Sequence, residues 1–555
     1  MSASAELEKD AAAAAADGDE DAEVKGSASG WELLYCGGTS FDNMGRKVVG
    51  GGQGNLVSPT RLRPLMGVDI RFVGSGCTAC HCVALDAEGR CYTWGRNEKG
   101  QLGHGDTLLH NLPTVVSQLS KYKIIKASVG RNHTVVVTDD GKSFSFGHNK
   151  HGQLGTGSLR NGELRVISFK IEIESSPVPC IVAEATNAVC GADFTVWLSS
   201  VEGSSILTAG LPQYGQLGHG TDNEYNAKDS SVKLTYDPQP RPRAIATFSG
   251  KTVVKVACGT NHTVAVDSSG FVYTWGFGGY GRLGHREQKD EWQPRLVEIF
   301  QKHNVLPPNA IVSAGSSSSA CTAGGGQLYM WGKMKNTGDD WMYPKPVMDL
   351  SGWNIRCMAS GNMHHVVGAD DSCISWGVAQ NGELGYGPNG QKSSANPKKV
   401  DILEGMHVTS VGCGYGLSLI VVDRANIGDR LDKLEIYDGD TTEVEEKVEV
   451  QATKKASASS NSRANKRKKT KDDSESEEED DEDESGDDEN GEIEEAKGRR
   501  GRKPSNRGRG RGAKKAAPEA KPSGRGRGRP KKTESPAQKA GRSGGRGGKR
   551  GRPRK

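Results

Sequence analysis

One stretch of the chain has residue types and a spacing that suit metal or haem binding. It reads GCTACHCVALD, Gly76 to Asp86, and places three cysteines and a histidine within six residues. Cys77-x-x-Cys80-His81 also has the spacing of a c-type haem attachment signal. Which chemistry these side chains perform depends on the structural element that carries them.

Two motifs recur along the chain and identify that element. The first contains Trp-Gly or Phe-Gly, a polar turn and then Gly-x-Leu-Gly, as in YTWGRNEKGQLGHG from Tyr92. The second reads Gly-x-x-His-Thr-Val with alternating apolar residues, as in GRNHTVVVTDDG from Gly130. Alternation with a period of two predicts β-strands, and the glycines suit tight turns with positive φ.

The repeats predict an all-β, seven-bladed propeller over residues 31–423. The first motif occurs seven times, and the second precedes six of these copies. The chain opens with a Trp-Gly half near Leu33 and ends on an unpaired Gly-x-x-His half from Gly414. These two halves would form one blade and close the ring, which leaves few free strand edges.

The repeat register decides between a site and a structural strand. The position of His81, counted back from Trp-Gly, holds these residues in the other copies: His133, His262, His364, Phe194, Ser318 and Leu417. A position that accepts so many residue types is structural. Cys80 and Cys82 would flank His81 on a strand and point to its other side. We therefore predict strand packing, and no metal, haem or other cofactor.

The repeats resemble the regulator of chromosome condensation (RCC) family of seven-bladed propellers. The stretch WGFGGYGRLGHREQKDEWQPR, Trp275 to Arg295, is most similar to the mitotic, telophase-disc branch. The resemblance implies that the protein regulates a small GTPase, either by promoting nucleotide exchange or by controlling its effectors. Neither activity involves covalent chemistry. The family's exchange factor for Ran inserts a wedge in an early blade, whereas the turns Arg96–Gly103 and His148–Gly155 are short. A Rac-, Ral- or Arf-like GTPase is therefore expected rather than Ran.

The residues themselves provide no catalytic constellation, so we predict that the protein is not an enzyme in the covalent sense. No phosphate-binding Gly-x-x-x-x-Gly-Lys-Ser/Thr motif, His-Glu-x-x-His motif or nucleophile elbow is present. The best candidate partner surface is the long loop from His219 to Arg243, because long loops in compact folds are often functional. Its candidate contact residues are Asp222, Glu224, Tyr225, Lys228 and Tyr236. A tolerated surface insertion is the alternative.

Charge is strongly polarised outside the propeller. Residues 1–29, rich in acidic residues and alanine, carry a net charge of −6, residues 472–495 carry −17, and residues 497–555 carry +22. We predict disorder for residues 1–30, a linker over 424–471, an acidic disordered segment over 472–495 and a basic Gly/Arg-rich tail over 496–555. No signal peptide and no membrane span are expected.

The C-terminal extension contains motifs for nuclear import and DNA binding. A bipartite basic cluster suited to import consists of Lys454, Lys455, Lys466, Arg467, Lys468 and Lys469. Two Arg-Gly-Arg-Pro motifs resemble AT-hooks, whose arginines lie in narrow A·T-rich minor grooves. They consist of Arg527, Gly528, Arg529 and Pro530, and of Arg550, Gly551, Arg552 and Pro553. Arg-Gly segments from Arg507 and Gly544 leave RNA binding open as an alternative.

These features together predict a nuclear, chromatin-associated protein. Its tail would hold it on A·T-rich DNA, with histones as a further expected partner of the acidic segment, while the propeller recruits a protein partner and regulates a small GTPase. Two alternatives remain: an interaction scaffold on chromatin without GTPase activity, and an RNA-associated protein that acts through its Arg-Gly segments.

Overall fold

The repeats fold into seven antiparallel sheets arranged as the blades of a β-propeller, as the sequence predicts. The structure is a computed structural model that describes residues 30–46, 54–157, 172–220, 224–225, 235–335, 339–425 and 427–439. Each Gly-x-x-His segment begins the second strand of a blade, and each Trp-Gly segment ends or nearly ends the third. Within the described part of the chain, no helix has the length and hydrophobicity needed to cross a bilayer.

The first three blades contain strands from the N-terminal half of the chain. Blade 1 consists of β3 (Ile70–Gly74), β4 (His81–Asp86), β5 (Cys91–Gly95) and β6 (His110–Val115). Blade 2 consists of β7 (Ile124–Val129), β8 (His133–Thr138), β9 (Ser143–His148) and β10 (Ile173–Pro179). Blade 3 consists of β11 (Ala185–Cys190), β12 (Phe194–Ser199), β13 (Ile206–Gly210) and β16 (Gln239–Ala244), and a separate hairpin of β14 (Glu224–Tyr225) and β15 (Thr235–Tyr236) interrupts it.

Three further blades follow in sequence order. Blade 4 consists of β17 (Val253–Cys258), β18 (His262–Asp267), β19 (Val272–Gly276) and β20 (Glu291–Leu296). Blade 5 consists of β21 (Val312–Ala314), β22 (Ser318–Thr322), β23 (Leu328–Gly332) and β24 (Trp341–Pro346). Blade 6 consists of β25 (Ile355–Ser360), β26 (His364–Ala369), β27 (Ser372–Gly377) and β28 (Ser394–Lys399).

The two ends of the repeat region form the seventh blade together. Its strands are β29 (Val408–Cys413) and β30 (Leu417–Asp423) from the C-terminal side, and β1 (Trp31–Gly37) and β2 (Leu56–Leu62) from the N-terminal side. Strand β1 pairs with β30 over its whole length, from Trp31 opposite Asp423 to Gly37 opposite Leu417. The predicted completion of one blade by the two orphan halves is confirmed.

A C-terminal segment beyond β30 fastens this closing blade. A 3-10 helix (Gly428–Lys433) leads into β31 (Ile436–Tyr437), which adds to β2 as a fifth, parallel strand. Ile427 and Leu431 are buried in the same apolar cluster as strand β30. The other described 3-10 helices are Arg63–Leu65, Ser117–Leu119, Ala246–Phe248, Gly279–Gly281, Lys302–Asn304, Gly324–Gly326, Met348–Leu350 and Asp401–Leu403.

Strand order defines the two ends of the propeller. The first strand of each sheet (β29, β3, β7, β11, β17, β21 and β25) contacts its counterparts in neighbouring blades and so surrounds the central channel. The Gly-x-x-His turns and the Gly-x-Leu-Gly turns lie at one end, which we name the motif face. The hairpins between second and third strands, such as the one after Asp86, lie at the other end, the opposite face.

The fourth strand of every blade has a proline at the same register position, and three of these strands have a second proline. The prolines at the shared position are Pro59, Pro113, Pro177, Pro242, Pro294, Pro344 and Pro397, and each lies beside an irregularity in the pairing with the third strand. A proline lacks the N–H group that another strand would use, so it suits an edge. Six of these prolines lie on strands at the outer edge of their sheets and oppose further strand pairing there, whereas β2 with Pro59 is the strand to which β31 adds.

Candidate interaction face

The histidines of the Gly-x-x-His motif link neighbouring blades. His81 Nε2 lies 2.9 Å from Thr134 Oγ1, and His133 Nε2 lies 2.9 Å from Thr195 Oγ1, in each case one blade further on. His262 repeats the contact with Ser319, and His364 with Ser418. Because these hydroxyls donate to backbone carbonyls, the Nε2–H groups are the donors.

Burial keeps these imidazoles neutral. It lowers the pKa of His81 to about 3 and that of His133 to about 4. The rings of His133, His262 and His364 lie over the first glycine of their motifs; a Cβ on Gly130, for example, would approach His133 Cε1 to 2.1 Å. The histidines are therefore packing and hydrogen-bonding groups between blades.

The cysteines of the opening stretch are buried and reduced. Cys80 and Cys82 pack toward blade 7, while His81 faces blade 2, as strand alternation predicts. Burial raises the pKa of the Cys80 thiol to about 11, so it is protonated at neutral pH. Across the described residues, no group of three or more His, Cys, Asp or Glu side chains has metal-binding geometry.

Cys77 has a different location because the turn before His81 is two residues longer than Gly-x-x-His. Its thiol lies 3.7 Å from Thr260 Oγ1, so it reaches from blade 1 to blade 4 across the channel. It is only 6% exposed, and burial raises the pKa of its thiol. Cys77 thus helps to close the channel at the motif face.

A charged cluster lies on the motif face between blades 2 and 3. Arg131 Nε is 3.7 Å from Asp193 Oδ2, and both side chains are largely shielded from solvent. Burial opposes ionisation of Asp193, but Arg131 together with His151 and His148 holds the pKa of this carboxyl below its usual value. Burial lowers the pKa of His148 to about 4, so this histidine is neutral. The cluster is an ion pair in a polar setting and has no nucleophile.

Aromatic and cationic side chains from blades 3, 4 and 5 form a continuous row on the same face. Tyr214 packs against Phe277 with ring centroids 4.7 Å apart. The Arg282 guanidinium lies over both Phe277 and Tyr280, at 4.5 and 5.5 Å from the ring centroids. Lys333 Nζ lies 4.5 Å from the centroid of Tyr280. Cation–π contacts of this kind hold the row together.

Arg282 anchors this row to the centre of the propeller. It is 1% exposed, and its guanidinium donates to the carbonyl oxygens of Gly279 and Ser316, both at 2.9 Å. Three other Gly-x-Leu-Gly turns have glutamine here, such as Gln101. Tyr280 has a φ of +60°, which turns its half-exposed ring onto the arginine.

The predicted partner loop leaves and rejoins blade 3 at the motif face, where Gly220 N donates to Trp292 O and Gln239 N donates to His151 O. Glu224 and Tyr225 form β14, which pairs with β15 so that Glu224 lies opposite Tyr236. The loop leaves blade 3 after Tyr214 and its Gly-x-Leu-Gly turn, so the hairpin belongs to the motif face. Asp222 and Lys228 lie outside the described residues. The import cluster from Lys454 to Lys469 and both Arg-Gly-Arg-Pro motifs also lie outside them.

Sequence reasoning missed the row as a surface. Phe277, Tyr280 and Arg282 were used only as a family resemblance, and Tyr214 and Lys333 belong to other repeats. The available signal was local: one turn contains Phe-Gly-Gly-Tyr where others have Arg-Asn-Glu-Lys or His-Asn-Lys-His. Aromatic residues in a turn that is polar elsewhere indicate a contact surface.

Comparison with known proteins is consistent with these repeats. A model of the regulator of chromosome condensation (RCC1) repeat matches residues 88–137, 205–266, 269–322 and 370–421, and a second matches 124–153 and 253–282. Protein RCC2 of Mus musculus is 40% identical over 424 residues, which cover 72% of this chain and 78% of that protein. The chain belongs to the RCC1-repeat family. Protein RCC2 of Homo sapiens is 39% identical with the same coverage, which confirms the predicted branch.

A solved propeller of the RCC1-repeat family has the same fold. The crystal structure of Prp20p from Saccharomyces cerevisiae superposes with a TM-score of 0.52 at 20% identity, covering 73% of this chain and 94% of that one. Prp20p is reported with its binding properties to Gsp1p and histones. At this identity the likeness concerns the fold alone.

Proposed function

We propose that this protein is a chromatin-bound regulator of a small GTPase, which it contacts through the motif face. The observation that carries the proposal is the row of Tyr214, Phe277, Tyr280, Arg282 and Lys333 on the motif face. Tyrosine and arginine are enriched at the centres of protein interfaces, where buried rings provide most of the binding energy.

Family membership supports the class of partner. Prp20p, a member with the same fold, is described by its binding to Gsp1p and histones. In this chain the turn from Arg96 to Gly103 is tight, with Gly100 N donating to Asn97 O and Gly103 N donating to Gly100 O. A tight turn leaves no inserted wedge there, which favours a Rac-, Ral- or Arf-like GTPase over Ran.

The tail supports attachment to chromatin. Residues 497–555 carry +22, and the Arg-Gly-Arg-Pro motifs from Arg527 and Arg550 match the needs of a narrow minor groove. The cluster from Lys454 to Lys469 supports nuclear import. In this proposal the tail provides DNA affinity and the propeller provides protein specificity.

Nucleotide release from purified GTPases tests the proposal. Full-length protein is added to Ran-, Rac-, Ral- and Arf-type GTPases loaded with fluorescent GDP, and binding is measured in parallel by interferometry. We expect one Rac-, Ral- or Arf-type protein to bind and to release GDP faster. Binding to none of them would refute GTPase regulation and would leave the scaffold function. Binding without faster release would indicate effector control.

A matched pair of variants tests the surface. Tyr280→Asn removes the ring but keeps a residue that tolerates positive φ, and we expect at least tenfold weaker GTPase binding. Tyr343→Asn removes a ring that is 37% exposed on the outer strand β24, where it contacts Arg286 and Lys345, and should leave binding unchanged. Equal effects of the two substitutions would contradict the assignment of the motif face.

A further inference from the structure

One turn of the propeller has an arginine at a position where the repeat adopts a glycine conformation. The second residue after Gly-x-Leu-Gly is glycine in four copies, and each has a φ between +76° and +89°: Gly105, Gly157, Gly220 and Gly387. In blade 4 this residue is Arg286, with a φ of +67°. Positive φ costs an L-residue conformational energy that glycine avoids. Strained residues of this kind cluster at functional sites.

The backbone explains the conformation of Arg286 but not its side chain. Gly220 N donates to Trp292 O, and Arg286 N donates to Met342 O, both at 2.8 Å and both on the outermost strand of the next blade. A glycine at position 286 would make the same hydrogen bond without strain. The guanidinium group is therefore the feature that distinguishes this turn.

The residue that faces Arg286 also departs from the repeat. The residue before the register proline of an outermost strand lies opposite the glycine position, since a Cβ on Gly220 would lie 2.2 Å from Gln293 Nε2. In blade 5 this residue is Tyr343, the single aromatic residue at this position among the seven blades, in all of which the structure describes it. The Arg286 guanidinium carbon lies 4.5 Å from the centroid of its ring. Two facing positions thus both differ from the rest of the repeat and form an exposed cation–π pair.

A second cation lies on the same ring. Lys345 Nζ lies 5.4 Å from the centroid of Tyr343 and 5.3 Å from that of Trp341. Within the described ranges, neither Arg286 nor Lys345 forms an ion pair. A guanidinium stacked on a ring keeps its in-plane N–H groups available to a carboxylate or a phosphate. We name Arg286, Tyr343 and Lys345 the clamp.

A groove adjoins the clamp between blades 4 and 5. It is lined by Arg286, Arg295, Glu298, Ile299, Tyr343 and Pro344. Arg295 is already engaged, because it donates to Glu287 at 2.6 Å and to Glu291 at 2.7 Å. Ile299 and Pro344 provide apolar surface. The groove therefore offers apolar contacts next to the two uncompensated cations of the clamp.

The charges of the groove favour a protein segment over a nucleic acid. Glu287, Glu291 and Glu298 all belong to the blade 4 side of the groove or its edge. Three carboxylates repel a polyanionic backbone. A single anionic side chain beside an apolar one matches both the clamp and the apolar surface.

We propose that the clamp and its groove bind a segment of a protein partner in which an acidic side chain stands next to an apolar one. The acidic group accepts hydrogen bonds from Arg286 and Lys345, and the apolar side chain packs on Ile299 and Pro344. A phosphorylated side chain offers the same anionic oxygens as Asp or Glu, so either source provides the anion. This partner is distinct from the GTPase, and the site stands whether or not the motif-face row binds one.

Selection of displayed peptides tests the proposal. Random peptides on phage are selected on the full-length protein and counter-selected on full-length Arg286→Gly. Both proteins carry the same basic tail, so acidic peptides that bind the tail are removed. We expect enrichment of sequences with Asp or Glu beside an apolar residue. Failure to enrich such sequences would overturn the proposal.

Arg286→Gly separates binding from folding, since glycine occupies this position in four other copies. An enriched peptide, made synthetically, should bind this variant at least tenfold more weakly than the unchanged protein. The variant should unfold within about 2 °C of the unchanged protein, because relief of the positive φ offsets the lost cation–π contact. A large fall in melting temperature would show that Arg286 holds blades 4 and 5 together, and the proposal would be wrong.

Changes within the peptide identify the anion. Replacing its Asp or Glu by the corresponding amide should weaken binding about tenfold, and replacing the same residue by phosphoserine should retain binding. An A·T-rich duplex should leave the bound peptide in place. Displacement of the peptide by the duplex from the unchanged protein would show that the site takes nucleic acid and would refute the proposal.

Matched variants locate the binding surface. Tyr343→Asn should weaken peptide binding about tenfold, whereas Tyr343→Phe, which keeps the ring, should not. Lys289→Gln removes an exposed cation of the same connection in blade 4 and should leave peptide binding unchanged. Tyr280→Asn, which should weaken GTPase binding, should also leave it unchanged. Equal losses of peptide binding in Tyr343→Asn and in either control would overturn the assignment.

Discussion

Glu32 holds the closing blade through a buried ion cluster, and its neutralisation should weaken the whole propeller. Glu32 lies on β1 and is 2% exposed. One of its oxygens accepts a hydrogen bond from Arg61 of β2, and the other accepts one from Arg424 Nε at 2.9 Å. The cluster thus joins N-terminal strands to the C-terminal end of β30. Glu32→Gln removes the charge that both guanidinium groups require.

The size of the effect follows from the remaining partners. Removal of one partner from a buried ion pair costs about 3 to 5 kcal/mol. Arg61 keeps Asp432 at 2.9 Å, and Arg424 keeps the carbonyl oxygen of Val68 at 2.9 Å. The cost should therefore lie near the lower end, about 3 kcal/mol. For a unit on the order of 400 residues this corresponds to a fall of about 4 °C in melting temperature.

Calorimetry and hydrogen exchange measure this effect. The matched control is Glu98→Gln, because Glu98 pairs with Arg46 and both side chains are almost half exposed; it should cost no more than about 1 kcal/mol. In Glu32→Gln, β1 and β30 should also lose exchange protection before β18 does. Equal melting temperatures for the two variants would refute the role of the cluster in closing the ring.

Three further variants have expected outcomes. His133 has a folded pKa of about 4, below its unfolded value, so it should reduce stability as pH falls from about 6.5 toward 4. His133→Phe, which copies Phe194 in blade 3, should flatten the dependence of melting temperature on pH in that window. Gly130→Ala should destabilise by more than His133→Phe, since its Cβ would approach the imidazole to 2.1 Å; chemical denaturation measures both. Arg527→Ala with Arg550→Ala should remove the preference for A·T-rich over G·C-rich duplex. The DNA affinity of this variant should still fall with rising salt concentration almost as steeply as that of the unchanged protein, because the other basic residues of the tail remain. Anisotropy titrations with both duplexes at several salt concentrations measure both effects.

The repeat register could be predicted because each blade repeats the same local requirements. The position of His81 begins the second strand in blades that hold His133, Phe194 or Ser318 there, so the strand does not depend on the imidazole. The glycine that ends the Trp-Gly motif in each copy has positive φ and lies against the backbone of that position; a Cβ on Gly95 would meet the Cα of His81 at 2.7 Å. Such steric constraints are visible in a single sequence as invariant spacing between copies.

Features that occur once and join distant parts of the chain could not be predicted in this way. The extra two residues around Cys77 were visible, but their direction across the channel depends on the packing of blade 1 against blade 4. The segment from Ile427 to Tyr437 has no repeat pattern, and only its burial against β2 and β30 reveals it. The aromatic row likewise requires blades 3 and 4 to place Tyr214 beside Phe277, and blade 5 to place Lys333 over Tyr280.

The two ends of the described chain lie at the same face of the propeller. The first described residue, Gly30, lies against Asp69 and Arg424 at the opposite face, and Asp438 pairs with Arg63 on that same side. Both ends of the described chain therefore lie at the opposite face, and the aromatic row lies at the motif face. Under the proposed function, DNA held by the tail and a GTPase bound at the motif face should be compatible, so adding A·T-rich duplex to the binding assay should leave GTPase binding unchanged. Weaker GTPase binding in the presence of the duplex would contradict this expectation.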